Sequence, residues 1–438
     1  MSTSELSTPR QFSRRNFLGL GAGVAAGSLL AACGGGSASG GGSGKMKFWD
    51  MPWGATAYAA AAKKLTESYQ PASGLPAASY QQIQWANFTQ TFSSAIASRT
   101  GPAVSTGGGF QAFQYAAQGA IAYADNLISS FKSDGTYTDF LPGTVEAMKT
   151  PKGYAAVPWQ LDMRVWWYRK SLLDQNGVKV PTTWDELLSA CQKLASKGLY
   201  GFATGSGAGN NLGAQAIAMM MINNGGGFFD PSGKIDLVTP RNIEAMDVVR
   251  ELVHMKAIDP AAVSYTGDNL QAQWKSKKAA MGVYTPGLDT DTGDTSGDLR
   301  VMSPLAAPHG DKYCIVFINN IMMYTNTPTQ KGSEAFASYY VKNMKTLWQQ
   351  KLVPQLPALK SIIALPEFQQ QTQKVKVIKE WQPVSRTYAA LGTTLTPVIA
   401  SIDAGQQLNQ FTQTMLQGKT DSKTALQNFQ QALEALAK

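Results

Sequence analysis

Between Met46 and Phe110 the sequence switches repeatedly between a strand-like and a helix-like hydrophobic pattern, which narrows the choice of fold more than any other feature. Met46-Lys47-Phe48-Trp49 reads as a short strand, after which Tyr58, Ala61, Ala62, Leu65 and Tyr69 recur at helical spacing. A second strand is expected over Gln81–Trp85 and a helix through Phe88, Phe92 and Ile96. Pro102-Ala103-Val104-Ser105-Thr106 forms a third strand, running into Gly107-Gly108-Gly109-Phe110. Strands separated by helices are joined by crossovers and line up as parallel βαβ units. In such sheets ligands sit beyond the carboxyl ends of the strands, where Trp49, Trp85 and the Gly107–Phe110 loop fall. The triple glycine lacks the P-loop Lys-Ser/Thr and the dinucleotide-binding spacing, so it reads as a close-approach turn.

The densest stretch is Val157–Lys170, with Trp159, Trp166, Trp167, Tyr168, Asp162 and Arg164 in strand-like composition. Aromatic faces beside a few fixed polar groups suit a polar ligand with apolar faces. Strand aromatics are also commonly core residues, so the stretch alone decides nothing. Alternation puts Val165, Trp167 and Arg169 on one face and Arg164, Trp166 and Tyr168 on the other. Set between the βαβ units before it and the Pro181–Glu186 helix start after it, in a chain that opens on an export signal, the stretch is read as a crossing, with Trp159, Asp162 and Arg164 assigned to a cleft and Trp166 and Trp167 to the core. Thr183 with Glu186 three residues on predicts a capping box opening a helix with Trp184, Leu187, Leu188, Cys191 and Leu194 on its apolar face. Ala279–Tyr284 reads as a strand entering a Pro286-Gly287 turn, then an exposed, mobile Asp289–Asp298 loop. Ile315–Tyr324 is a longer strand holding Asn319 and Asn320, whose amides need partners, from a ligand or within a hinge. Residues 354–366 read as a loop.

The first residues read as an address. Arg14-Arg15 precedes a weakly apolar run, Leu18 to Leu30, that is too short to span a bilayer, and Leu30-Ala31-Ala32-Cys33 closes it. The segment resembles a twin-arginine export signal (residues 1–32) ending in a bacterial lipobox, which implies lipid on Cys33. Residues 33–45, nearly all Gly and Ser, form a flexible tether. Cys191 and Cys314 are expected to be free thiols, Cys191 as a small buried hydrophobe.

Net charge is +9, but the bases are scattered and form no stripe, which argues against nucleic acid. With two separated His and no Cys cluster, neither a zinc site nor a His-based nucleophile is expected, and no other metal or cofactor. A calcium loop through Asp289, Asp291, Asp294 and Asp298 misses the EF-hand spacing. Carboxylate-pair glycosidase chemistry stays open, since the partners need not be close in sequence.

Several blocks together resemble extracellular solute-binding protein family 1, the maltose-binding-like receptors of carbohydrate ABC importers. They are Phe48-Trp49, Val157-Pro158-Trp159 through Tyr168-Arg169-Lys170, Val180-Pro181-Thr182-Thr183-Trp184-Asp185-Glu186-Leu187, Gly225–Phe229, Ala279-Ala280-Met281-Gly282 and Leu416–Lys419. The resemblance implies an α/β, two-lobed periplasmic-binding-protein-like clamp of type II. Each lobe would be a parallel-rich sheet flanked by helices, with about three hinge crossings. Residues 46–157 plus 315–372 would form the first lobe, and 158–314 plus 373–438 the second. Trp53, Trp85, Phe110 and Gln111 match first-lobe cleft positions; Asp162 matches a sugar-hydroxyl acceptor, with Trp159 and Arg164 beside it; Tyr284, Arg386 and Tyr388 match second-lobe contacts. With Trp49, Asn319 and Asn320 these complete the expected ligand set. The sequence departs from many relatives in Gly109-Phe110-Gln111 and in Tyr284-Thr285-Pro286-Gly287, where a sugar-stacking Trp is common. The expected protein is a monomeric, non-enzymatic lipoprotein on the extracytoplasmic face of the cell membrane. It would bind a neutral di- or trisaccharide and hand it to an ABC permease. A polyol, amino sugar or glycerophosphodiester is the alternative ligand, and a secreted glycoside hydrolase the alternative class.

Overall fold

The computed structural model describes residues 44–437 apart from 55, 85–87 and 392–396. Cys33, the export signal, most of the tether and Trp85 lie outside the described residues. Twelve strands occur in chain order among them: β1 Met46–Asp50, β2 Ala78–Gln82, β3 Val104–Gly107, β4 Lys149–Thr150, β5 Gly153–Tyr154, β6 Val157–Met163, β7 Val165–Arg169, β8 Met281–Tyr284, β9 Leu299–Val301, β10 Cys314–Met323, β11 Leu356–Pro357 and β12 Ser385–Arg386.

The larger sheet has the order β11-β6-β10-β3-β1-β2, with β12 added to β10. As the alternating pattern predicts, β1 runs parallel to β2 and β3. The second strand starts earlier than expected, at Ala78, and ends at Gln82. β10 is antiparallel to β3, with Asn320 opposite Gly107, and to β6, with Phe317 opposite Asp162. Its first half therefore runs past the carboxyl end of β3 and is held by β6 and, at Cys314 and Ile315, by β12. A β-bulge falls between Asn319 and Asn320, where β10 passes out of the part of the sheet that β3 covers.

The chain changes sheet at one residue. β6 belongs wholly to the larger sheet and β7 to a second sheet of order β8-β7-β9, with only Arg164 between them. Arg164 N–H donates to Ile315 O at 3.0 Å, so this residue is still tied to β10. The change comes later than the Val157 expected from sequence. Helix Thr372–Lys376, at the expected third crossing, is tied to the smaller sheet where Val301 N–H donates to Gln373 Oε1 at 2.7 Å.

The smaller sheet corrects the expectation of parallel pairing, since β7 is antiparallel to both β8 and β9. Parallel pairing survives there as isolated bridges, Thr183 to Ala306, Tyr200 to Ala279 and Ala203 to Gly282. Val165, Trp166 and Trp167 are fully buried on both faces of β7, as a covered central strand requires. Burying rings of this kind contributes roughly 2–3 kcal/mol each.

Helix Asn211–Asn223 is buried on every side from Gly213 onward, the mark of a helix inside a core. It aims two amides: Asn223 accepts from Trp184 Nε1 at 2.6 Å, and Gln215 reaches Arg164. Helix Trp184–Ala195 is capped by Thr183, which accepts from Glu186 N. The Glu186 carboxylate turns instead to Thr182, whose amide and hydroxyl offer two donors, so the capping box closes one residue early. The Asp289–Asp298 stretch is not an open loop: it begins as helix Leu288–Thr292, and Asp298 pairs with the buried Arg169. Residues 354–366 hold β11 and the short helix Lys360–Ile363 rather than irregular loop throughout. Cys191 and Cys314 are free and buried. No helix among the described residues is long and apolar enough to cross a membrane.

Candidate ligand-binding cleft

The carboxyl ends of β1 and β3 are tied together by a buried carboxylate. Asp50 accepts from Thr106 Oγ1, Met51 N and Tyr58 OH, and from Tyr80 OH at 3.3 Å. Burial outweighs these donors and pushes its carboxyl up to about 6. Thr106 Oγ1 in turn accepts from Trp53 Nε1 at 2.9 Å. The ring of Trp53 is thereby fixed just beyond the strand ends, edge-on to Trp159 at 5.5 Å. Trp53 borders a cavity of about 650 Å³, also lined by Thr285 and Pro286 after β8 and by Pro354 and Gln355 before β11. That volume lies within the ~300–1,000 Å³ usual for small-molecule sites.

A second cluster forms where β6 and β10 overhang the larger sheet. Arg164 Nε and Nη2 donate to Gln215 Oε1, and Nη1 donates to Met163 O at 3.0 Å. Nη1 also lies 2.9 Å from Asp162 Oδ1, an ion pair too far off line to be a hydrogen bond, so that oxygen keeps no donor. Gln215 Nε2 donates to Asp403 Oδ1 at 3.0 Å, and Tyr388 OH reaches the same oxygen at 3.4 Å. Desolvation pushes the Asp403 carboxyl up to about 6 despite these donors and the nearby Arg164. The guanidinium stacks 4.8 Å from the Phe317 ring, and Phe317, Phe110 and Tyr388 contact one another at 5.6 Å. Burial raises the Tyr284 phenol, which also senses Asp291, Arg164 and Asp162 and so faces the same space.

The structure thus brings Phe110, Asp162, Arg164, Tyr284 and Tyr388 together, with Trp53 at the neighbouring cavity. Trp159, expected in the cleft, is instead fully buried behind Trp53, packed edge-on between it and Trp348. Other expected residues are occupied elsewhere. Gln111 accepts from Gly108 N and donates to Tyr115 OH within its own loop and helix. Trp49 packs edge-on against Phe92. Arg386 stacks on Tyr313 at 4.4 Å. Asn320 Nδ2 donates to Gly109 O and Ile318 O, which leaves its buried Oδ1 unpaired, and Asn319 is buried beside it.

Sequence reasoning missed Phe317, Gln215, Asp403 and Gln160, whose two buried amide atoms have no partner among the described residues. Three of them left a signal: Gln215 is an amide in the middle of an apolar helix, Asp403 a single acid in helix Pro397–Ala404, and Gln160 an amide two residues before Asp162 along β6. No group of three or more His, Cys, Asp or Glu among the described residues could hold a metal ion.

A two-sheet α/β body with aromatic rings and paired charges at the strand ends defines the class of solute-binding clamps. Residues 76–345 match the family described as bacterial extracellular solute-binding protein, and the chain belongs to that family. A sugar transporter from Arthrobacter chlorophenolicus A6, solved with bound laminaribiose, is 57% identical, with a TM-score of 0.84 over 90% of this chain and 100% of that one. Maltose-bound MalE3 of T. maritima superposes with a TM-score of 0.72 at 16% identity, over 89% of this chain and 99% of that one. These neighbours are two-lobed clamps, and this chain shares their fold. A probable ABC transporter-binding protein of Deinococcus radiodurans is 29% identical over 134 residues, 29% of this chain and 31% of that protein's length.

Proposed function

We propose that this protein is the substrate-binding component of an ABC importer that captures a neutral β-linked disaccharide of the laminaribiose type and delivers it to a membrane permease. The observation that carries the reading is the cavity of about 650 Å³ at the carboxyl end of β1, walled by Trp53 and by loops following both sheets. An indole face matches the apolar face of a pyranose, while Gln271 and Asp291, which line the same cavity, suit sugar hydroxyls. The 57% identity to a protein solved with laminaribiose supports this ligand over a polyol or an anionic solute. The ligand set is Trp53 with the polar residues of its cavity, Gln271 and Asp291 among them, and the adjoining cluster of Asp162, Arg164, Tyr284 and the Phe110–Phe317–Tyr388 aromatic group supports the site from behind.

The first lobe comprises the larger sheet and the second the smaller sheet, with the hinge on Arg164, the start of β10 and the segment near Thr372. Ligand contacts from both lobes favour the closed form, which docks on the permease. The protein is exported by its Arg14-Arg15 signal, held at the membrane by lipid on Cys33, and works as a monomer without enzymatic activity. A thermal-shift screen of mono- and disaccharides tests the reading, with stabilisation by β-glucosidic disaccharides expected and release of products from them counting against it.

A further inference from the structure

Lys374, on helix Thr372–Lys376, is 3% exposed. Among the described residues its ammonium makes no hydrogen bond, and no carboxylate comes within 4.0 Å. A buried ammonium without a partner is costly, and chains seldom keep one for structural reasons. Lys374 borders the cavity beside Trp53, and Asp291 borders it too. The Asp291 carboxylate accepts no hydrogen bond among the described residues, and Gln355, which also lines the cavity, has its Oε1 buried without a donor. The electrostatics agree with two charges facing a shared space. Desolvation lowers Lys374 to about 8 against the pull of Asp289 and Asp291, and raises Asp291 to about 6 against the pull of Lys374. Near pH 7 both still carry charge.

We propose that Lys374 and Asp291 form a specificity-determining pair in this cavity. The ammonium donates to one hydroxyl oxygen of a bound sugar, and the carboxylate accepts from a neighbouring hydroxyl. The inference rests on the reading of the protein as a sugar receptor. A diol satisfies both charges without adding one, whereas a uronate meets Asp291 and an amino sugar meets Lys374 with like charge. The pair thereby selects neutral sugars.

Isothermal titration with laminaribiose at pH 7 tests this on the wild type and on Lys374→Met, Lys374→Gln and Asp291→Asn, with melting of each unliganded variant as the check on folding. A hydrogen bond to a charged group corresponds to roughly a tenfold or greater change in affinity. Lys374→Met and Asp291→Asn are expected to weaken binding by at least about that factor, with melting unchanged or raised, since each removes a buried charge. Lys374→Gln, which keeps a donor, recovers part of the loss. Wild-type binding with all three variants unchanged overturns the pair alone. A wild type that binds neither laminaribiose nor any other neutral disaccharide overturns the receptor reading and the pair with it.

Discussion

Arg164 Nη1 lies 2.9 Å from Asp162 Oδ1, while the rest of the same guanidinium is held by Gln215. The residue at which the chain leaves one sheet for the other therefore also ion-pairs with Asp162, the last residue but one of β6.

Replacing that cation leaves Asp162 and Asp403 without their shared positive neighbour. Breaking a buried pair costs about 3–5 kcal/mol, and the partial exposure of Asp162 places Arg164→Met at the lower end. Urea unfolding measures it; a loss below about 1 kcal/mol would show that Arg164 is not a structural centre.

Trp159 is fully buried between Trp53 and Trp348, edge-on at 5.5 and 5.7 Å. Trp159→Ala should destabilise the protein by about 3–5 kcal/mol, as large-to-small core changes do. Its effect on ligand affinity is then expected through the tilt of Trp53. A variant with an unchanged melting temperature contradicts this packing role.

Asp403 senses Arg164, Asp162, Gln215 and Tyr388, and its folded value of about 6 exceeds the ordinary 3.8. A raised carboxyl adds stability that is complete below pH 3.8 and is lost as pH rises through 6. From pH 7 to pH 5 this group should add about 1 kcal/mol. Asp50, raised in the same direction, adds its own share. Denaturant titrations at the two pH values should show Asp403→Asn lacking its increment while keeping that of Asp50. An identical pH response in wild type and variant would refute the assignment.

Gly287, in the turn after β8, faces Pro354, just before β11. A β-carbon on Gly287 would come 3.1 Å from Pro354 Cβ, and the proline ring has little freedom to move. Gly287→Val should prop the two sheets' loops apart, lowering sugar affinity and enlarging the radius of gyration of the sugar-saturated protein in X-ray scattering. Unaltered scattering and affinity would show that this contact does not set the closed form.

The parallel half of the larger sheet was legible because Phe48, Tyr58, Phe92 and Val104 report their periods directly. Trp166 and Trp167 were legible as core because large aromatics in a strand are commonly buried, and both are. The change of sheet at Arg164 was harder: β6 and β7 read as one run because Arg164 breaks no hydrophobic pattern, and only their different pairing partners reveal it. Antiparallel pairing of β7 was hidden for the same reason, since a strand covered on both faces looks alike in either direction. Within the candidate site, residue type pointed to Asp162, and the family resemblance to Tyr284. Neither could find Asp403, Gln215 or Lys374, whose roles come from chain segments far apart in sequence.

If the cavity beside Trp53 receives a neutral disaccharide, as proposed, calorimetric titration of the wild type with laminaribiose will detect it. Saturable one-to-one binding is predicted, with an unfolding free energy raised by about 2.7 kcal/mol when free sugar is at a hundred times the dissociation constant. Absence of both heat and stabilisation, with laminaribiose and with other neutral disaccharides alike, would contradict it.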